Sequence, residues 1–370
     1  MLKKKSRLLI LLGLGAALAV TLSLVLASHS GESGAPSGAG CPVEALKCTP
    51  GQDDPPDSAS PSGQATDAGG DAKAPGMNRS SPPGHPSASA TARPRSTGPC
   101  ASPGACGFPD ATTTGPRLPF LAHKTGDMTI RTNNMVIKGW DLKGSLDIYA
   151  NNVTVIDSSI TSTNWWGINL RAGYHGLRVL HNTITALPGK GPDKGGVDYA
   201  VSNMGGSLVE VGWTNISVFG DTLSMGQGDL HDNYVHDITP FINLGGEWQH
   251  TNAVISDGGG TGELVIRHNT LLNSTPIDRG ASASIGLYAD VAPVTHTTVD
   301  NNWLAGGSYA LYGGGKDASH IKVTDNVFST EYHPNCGAYG PVAAWNASGE
   351  GNVWSGNRMS NGKPVVPEPS

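Results

Sequence analysis

From about residue 133 to the C-terminus, apolar and polar positions recur in one order: apolar, any, apolar, any, then Asp, His or Asn, then Asn, any, apolar. The copies are VTVIDSSI (153–160), LRVLHNTI (177–184), LHDNYV (230–235), LVIRHNTL (264–271), TTVDNNWL (297–304), IKVTDNVF (321–328) and NVWSGNRM (352–359). Alternation predicts a short strand with one buried face, the polar pair a bend, and the closing apolar residue the start of another buried segment. The second polar slot holds Asn182, Asn233, Asn269, Asn302, Asn326 and Asn357, with Ser158 in the first copy. Asn tolerates left-handed backbone, so it is expected to form the turn itself, and stacked copies are expected to form a hydrogen-bonded ladder. Copies fall roughly 24 to 36 residues apart, a solenoid period. The reading is an all-β, single-stranded parallel β-helix over 106–370.

Two segments precede it. Residues 1–27 join Lys3, Lys4, Lys5 and Arg7 to an apolar run from Leu8 to Ala27. That pattern predicts export, either as a cleaved signal peptide or as a retained N-terminal anchor. Residues 28–105 are rich in Gly, Ser, Ala, Pro, Asp and Thr, too poor in large apolar side chains to offset ordering entropy, and are expected to be a disordered tether. Cys41 with Cys48 and Cys100 with Cys106 are spaced for local disulfides. Cys336 is left over, either free or paired with Cys100 or Cys106.

Composition narrows the partners. With Lys+Arg 24 against Asp+Glu 30 the net charge is −6, and no basic face lies outside the first segment, so nucleic acid is not an expected partner. Heptads that would support a trimeric adhesin are absent, and a monomer is expected. Polar insertions at 187–201 and 225–262 lengthen two coils. In a solenoid such insertions build the working face.

CGFPDA with TTTG, LAGGSYALYGGG, NCGAYGPV and GNVWSGN resemble a group of exported actinobacterial right-handed parallel β-helix proteins of the pectate-lyase-like superfamily. The resemblance covers about 106–365. It implies a right-handed helix and a secreted, extracellular or membrane-anchored protein, with a cell wall or membrane tether. Superfamily relatives mostly cleave or epimerise polysaccharides, often acidic ones, in a groove along the helix. The implied partner is therefore a polysaccharide, and the implied activity is that of a lyase or glycoside hydrolase. The alternative is a non-catalytic polysaccharide-binding or wall-associated scaffold.

The candidate chemistry gathers in EWQHTNAVISDGG, 247–259. Where the group reads His, Asn or Thr, Asp, Gly, Ile, Gln, this chain has His250, Thr251, Asn252, Ala253, Val254 and Ile255. An amide neither titrates nor carries charge, so Asn252 cannot replace an acid. Glu247, His250 and Asp257 are the catalytic candidates; the alternative is that Glu247 and Asp257 are solvated loop carboxylates. Glu247 with Asp229 or Asp257 could supply the two carboxyl groups of a glycosidase. Trp248, Asn252, Asp229 and Arg279 are the substrate-binding candidates, with Lys190 and Lys194 as further charges for substrate carboxylates. His181 and His268 recur in register and read as turn residues. His231 and His236 are either groove wall or exposed imidazoles. Asp193, Asp198, Asp221, Asp229 and Asp232 read as scattered on extended loops. No cofactor and no metal site is expected; calcium is admissible but not indicated, because no loop has the acid spacing of a compact site.

Overall fold

In this computed structural model, which describes residues 99–204 and 206–368, the chain forms short strands joined by turns and two single-turn 3₁₀ segments. The strands make three parallel sheets, and within each the hydrogen-bonded neighbour is always the third strand along the chain. The chain therefore visits sheet A, then B, then C, and returns to A one coil further on. Sheet A runs from Ala122–Thr125 to Arg358–Met359, sheet B from Met128–Ile130 to Gly340–Ala343, and sheet C from Val136–Lys138 to Val353–Ser355. This arrangement fits a parallel β-helix solenoid. The signal or anchor at 1–27, the pairing of Cys41 with Cys48 and most of the tether lie outside the described residues.

The last apolar slot of the repeat is the sheet A core column. Leu142, Ile160, Ile184, Ile216, Val235, Leu271, Leu304 and Phe328 stand in register and are buried. Val155, Val179, Val211, Leu230, Ile266, Val299 and Val323 form the matching column of sheet C. Each such side chain contributes about 1.5–3 kcal/mol of burial. The copy between Asn182 and Asn233 escapes the sequence template: VEVGWTNI, 209–216, puts Trp213 and Thr214 in the polar slots.

The ladder forms, but the left-handed turn falls one residue earlier than expected. Asp157, His181, Trp213, Asp232, His268, Asn301 and Asp325 take φ between 50 and 56°. The Asn that follows turns inward instead. Asn233 Nδ2 donates to Asn269 Oδ1 (3.0 Å) and to the Val211 carbonyl (2.8 Å), while its backbone N–H donates to the same Asn269 Oδ1 (2.9 Å). Asn269, Asn302 and Asn326 repeat the pattern onto Asn302, Asn326 and Asn357. Amide hydrogen bonding is what makes burial of these side chains tolerable.

Residues 99–120 form a strap laid lengthwise across the coils. Cys100 N–H donates to Ser360 O in the last coil, and Phe108 packs against Trp303 and His268. Further along, Gly115 N–H reaches Trp213 O, Arg117 pairs with Asp157 through two bonds, and Leu121 N–H reaches Gly139 O. Contact with the coils is thus already present at Cys100, six residues before 106. Cys100 and Cys106 are disulfide-bonded, and Cys336 is a buried free thiol.

Candidate functional site

Two insertions leave the solenoid at the same corner, where sheet A passes to sheet B. Residues 187–198 separate Thr183–Ala186 from Tyr199–Asn203, and 239–250 separate Tyr234–Ile238 from Thr251–Ser256. The coil between them crosses that corner with only Phe219 and Gly220. Of the long segment expected to be insertion, 225–262, the stretches 225–238 and 251–256 are ordinary coil.

The insertions close over the short crossing. Residues 242–248 fold back on themselves through a bridge between Ile242 and Trp248. Phe241 lies so close to Gly196 that any Cβ there would run into the ring, and Gly220 faces both Phe241 and the Asp198 carboxylate. Gly is required at 196 for this close approach. Between the insertions is a cleft of about 540 Å³ whose lining includes Lys194, Val197, Val218, Pro240, Phe241 and Trp248.

Beneath this roof lies a pair of acids. Asp198 and Asp221 are 5% and 4% exposed. Gln249 Nε2 reaches both carboxylates, at 3.5 and 3.3 Å. Asp221 N–H donates to Asp198 Oδ1 (3.3 Å), Asn252 Nδ2 donates to Asp221 Oδ1 (2.7 Å), and the Tyr288 hydroxyl donates to Asn252 Oδ1 (3.1 Å). Burial pushes Asp198 up to about 7, and burial together with the nearby Asp198 charge raises Asp221 well above the usual carboxylate range. Two such carboxyls cannot both ionise cheaply away from water. The Asp198 charge, then burial, raises Tyr199; burial raises Tyr288. Asp193 is buried too, with Oδ1 unpartnered and its pKa raised by burial.

The sequence candidates separate into groups. Glu247 and His250 are exposed on the second insertion, with half-buried Trp248 between them. The Arg279 guanidinium lies 5.9 Å over the Trp248 ring. Asn252 is buried and joins the acid pair, so it positions Asp221 rather than meeting a ligand. Asp257 follows Thr251–Ser256, a strand of about 20 Å at ~3.3 Å per residue, which separates its backbone from His250. A single site of Glu247, His250 and Asp257 is therefore not what the chain builds. Asp257 lies past the far end of the strand near whose start Asn252 pairs with Asp221, yet its charge still raises Asp221 and Tyr199, and burial, helped by Asp290, pushes Asp257 itself up to about 6. Asp229 is on sheet C, paired with Arg267 at 3.1 and 3.0 Å, and cannot complete a carboxyl pair with Glu247.

Other expectations are corrected in the same way. Asp221 opens a strand and Asp232 is a turn residue, so neither lies on an extended loop. His231 ends a sheet C strand and is buried, away from the insertions, while His236 pairs with Asp237 and Asn215. His181 stacks on Trp213 at 4.8 Å. Among the described residues no group of three His, Cys, Asp or Glu is placed to hold a metal ion.

From the sequence, Asp198 and Asp221 are named but read as scattered on loops, because the repeat is indexed on sheets C and A. Aligning the openings of the sheet B strands exposes them: DYAVS (198–202), DTLS (221–224) and NAVI (252–255), with Tyr199, Asp221 and Asn252 in one register row. On the outer side of the same sheet, Tyr288, Tyr312, Tyr309 and Tyr339 follow one another at ring distances of 5.2, 5.5 and 6.0 Å, ending on exposed Tyr339. No family model, no curated protein and no solved structure matches this chain.

Proposed function

We propose that this is an exported right-handed parallel β-helix that binds a polysaccharide along sheet B and hydrolyses it. Right-handedness follows from the strong preference of parallel crossover connections. The observation carrying hydrolysis is the group of proton-holding acids, Asp257 with Asp221 and Asp198, beside aromatic side chains. Glycoside hydrolysis needs a carboxyl that stays protonated near neutral pH to donate to the leaving oxygen, and a second carboxyl across the bond. Asp257 suits the first role, being half-buried rather than sealed, with its proton held up to about pH 6. Asp221, aligned by Asn252, takes the second role only once Phe241 and Gln249 move aside and water restores its ionised form. Tyr288, Tyr312, Tyr309 and Tyr339 offer faces for sugar C–H surfaces.

A second reading, polysaccharide binding without catalysis, is favoured by one observation: Asp198 and Asp221 are closed off from water by the second insertion. The full-length chain, incubated with uronate-containing and neutral polysaccharides with and without calcium, separates these readings. Hydrolysis produces new reducing ends without ultraviolet-absorbing unsaturated ends. Unsaturated ends would indicate a lyase, and retention without product would indicate the binding protein. Neither product nor retention on any polymer would remove the carbohydrate reading.

A further inference from the structure

On the corner between sheets C and A, away from the acid pair, the strap passes over a row of titratable groups. His268 Nε2 lies 3.0 Å from the Gly107 carbonyl, and its Nδ1 lies 2.6 Å from Asp232 Oδ1. His231, buried beside it, has Nδ1 at 3.0 Å from Asp232 Oδ2 and Nε2 at 3.3 Å from Glu210 Oε1. A carbonyl and ionised carboxylates only accept hydrogen bonds. All four contacts are therefore satisfied together only when both rings carry two N–H groups.

We propose that the strap is latched by two imidazolium rings, His231 and His268, bridged through Asp232, so that raising the pH loosens its middle third. A neutral His268 has one N–H, and must give up either Gly107 O or Asp232. Phe108, stacked on that ring at 5.7 Å, and Pro109 O, held by Thr270 Oγ1 at 2.6 Å, lie on the same stretch and follow it. The strap's ends have separate anchors, at Ser360 and at Trp213 and Asp157, so loosening stays local.

The surrounding charges agree. Burial alone would strip His231 of its proton, but the bonds to Asp232 and Glu210 outweigh it and its pKa is raised. The His231 bond, with Arg178 behind it, lowers Glu210 to about 2. Burial opposes ionisation of Asp232, but its bonds to His231 and His268 outweigh that and lower it. Arg267 opposes the charge on His231, and Asp229 supports it. His181 senses both His231 and Asp232, and Asp110 and Arg117 are the strap's own charges.

The test is nuclear magnetic resonance on the full-length chain between pH 5.5 and 8.5. It follows the ring nitrogens of His268 together with hydrogen exchange of the Gly107 and Phe108 amides, corrected for intrinsic rate. The latch predicts N–H groups on both ring nitrogens of His268 at pH 5.5, and amide protection falling about fivefold, the equivalent of one hydrogen bond, when one of them is lost. In His268→Asn the pH step disappears. A singly protonated ring at pH 5.5, protection that stays flat through the titration, or an unchanged step in the variant overturns the proposal. If the variant does not fold, the coincidence of the two curves in the unaltered chain decides.

Discussion

Two buried polar rows cross the coils of this protein, and they differ in what burial does to them. The Asn ladder between sheets C and A is neutral, repeated, and bonded at nearly every donor and acceptor. The row between sheets A and B, Asp198, Asp221, Asn252 and Tyr288, holds carboxyls that resist ionisation. Burial of a satisfied amide stabilises a repeat; burial of paired acids raises their hold on protons. The first row is what a solenoid needs in order to stack, whereas the second is costly to keep unless it serves chemistry.

Four changes break or sharpen that contrast. The largest effect expected is on turnover: Asp257→Asn should lower hydrolysis by about 10²–10⁴-fold, the usual worth of a positioned acid. Its unfolding midpoint should stay close to that of the unaltered chain, and initial rates of reducing-end formation beside a urea melt check both. In the ladder the loss should be in stability. Asn269→Ala strands the Asn233 N–H and the Leu230 carbonyl, and should cost about 2–4 kcal/mol in urea unfolding.

The third change concerns pH. Asp198 and Asp221 are raised in the folded state, so the folded chain keeps protons that the unfolded chain releases. The Asp198 contribution is fully present below the unfolded carboxylate value, near 3.8, and is lost as pH rises through about 7; Asp221, also raised, acts in the same direction. Stability should therefore fall between pH 4 and 7, by at most about 1.4 kcal/mol per pH unit for each retained proton. Asp198→Asn should flatten that slope in melts taken across the range. Glu210 and Asp232 act oppositely, since they are lowered and lose their contribution as pH falls below the ordinary carboxylate range. The smallest effect belongs to Asp229→Asn: its pair with Arg267 is partly exposed, so less than about 1 kcal/mol should be lost, and activity should not change.

The same contrast explains what could be read from the sequence. The repeat was legible because each coil restates it: Val155, Val179 and Leu230 mark one buried column, and Asn182, Asn233 and Asn269 the ladder. Its conformational detail was not, since αL backbone fell on Asp157, His181 and Asp232 while the adjacent Asn or Ser spent its side chain on the coil beside it. VEVGWTNI was missed because Thr214 replaces Asn in the ladder, where its backbone N–H still donates to Asn233 Oδ1. The site resisted reading for a different reason. Asp198, Asp221 and Asn252 lie far apart in sequence and meet only through sheet register, which insertions of different length conceal. Trp248 and Arg279, separate substrate-binding candidates in the sequence, meet in space, whereas Asp229, named with them, lies on sheet C.

Hydrolysis of a polysaccharide by the proton-holding acids of sheet B is the proposed function. It is tested most directly by incubating the full-length chain and its Asp257→Asn variant with the same panel of polymers, following reducing ends and ultraviolet absorbance together. The account predicts reducing ends without unsaturated ends from at least one polymer, best in mildly acidic solution, and their loss in the variant. Equal rates from both proteins, or no product from any polymer, would contradict it.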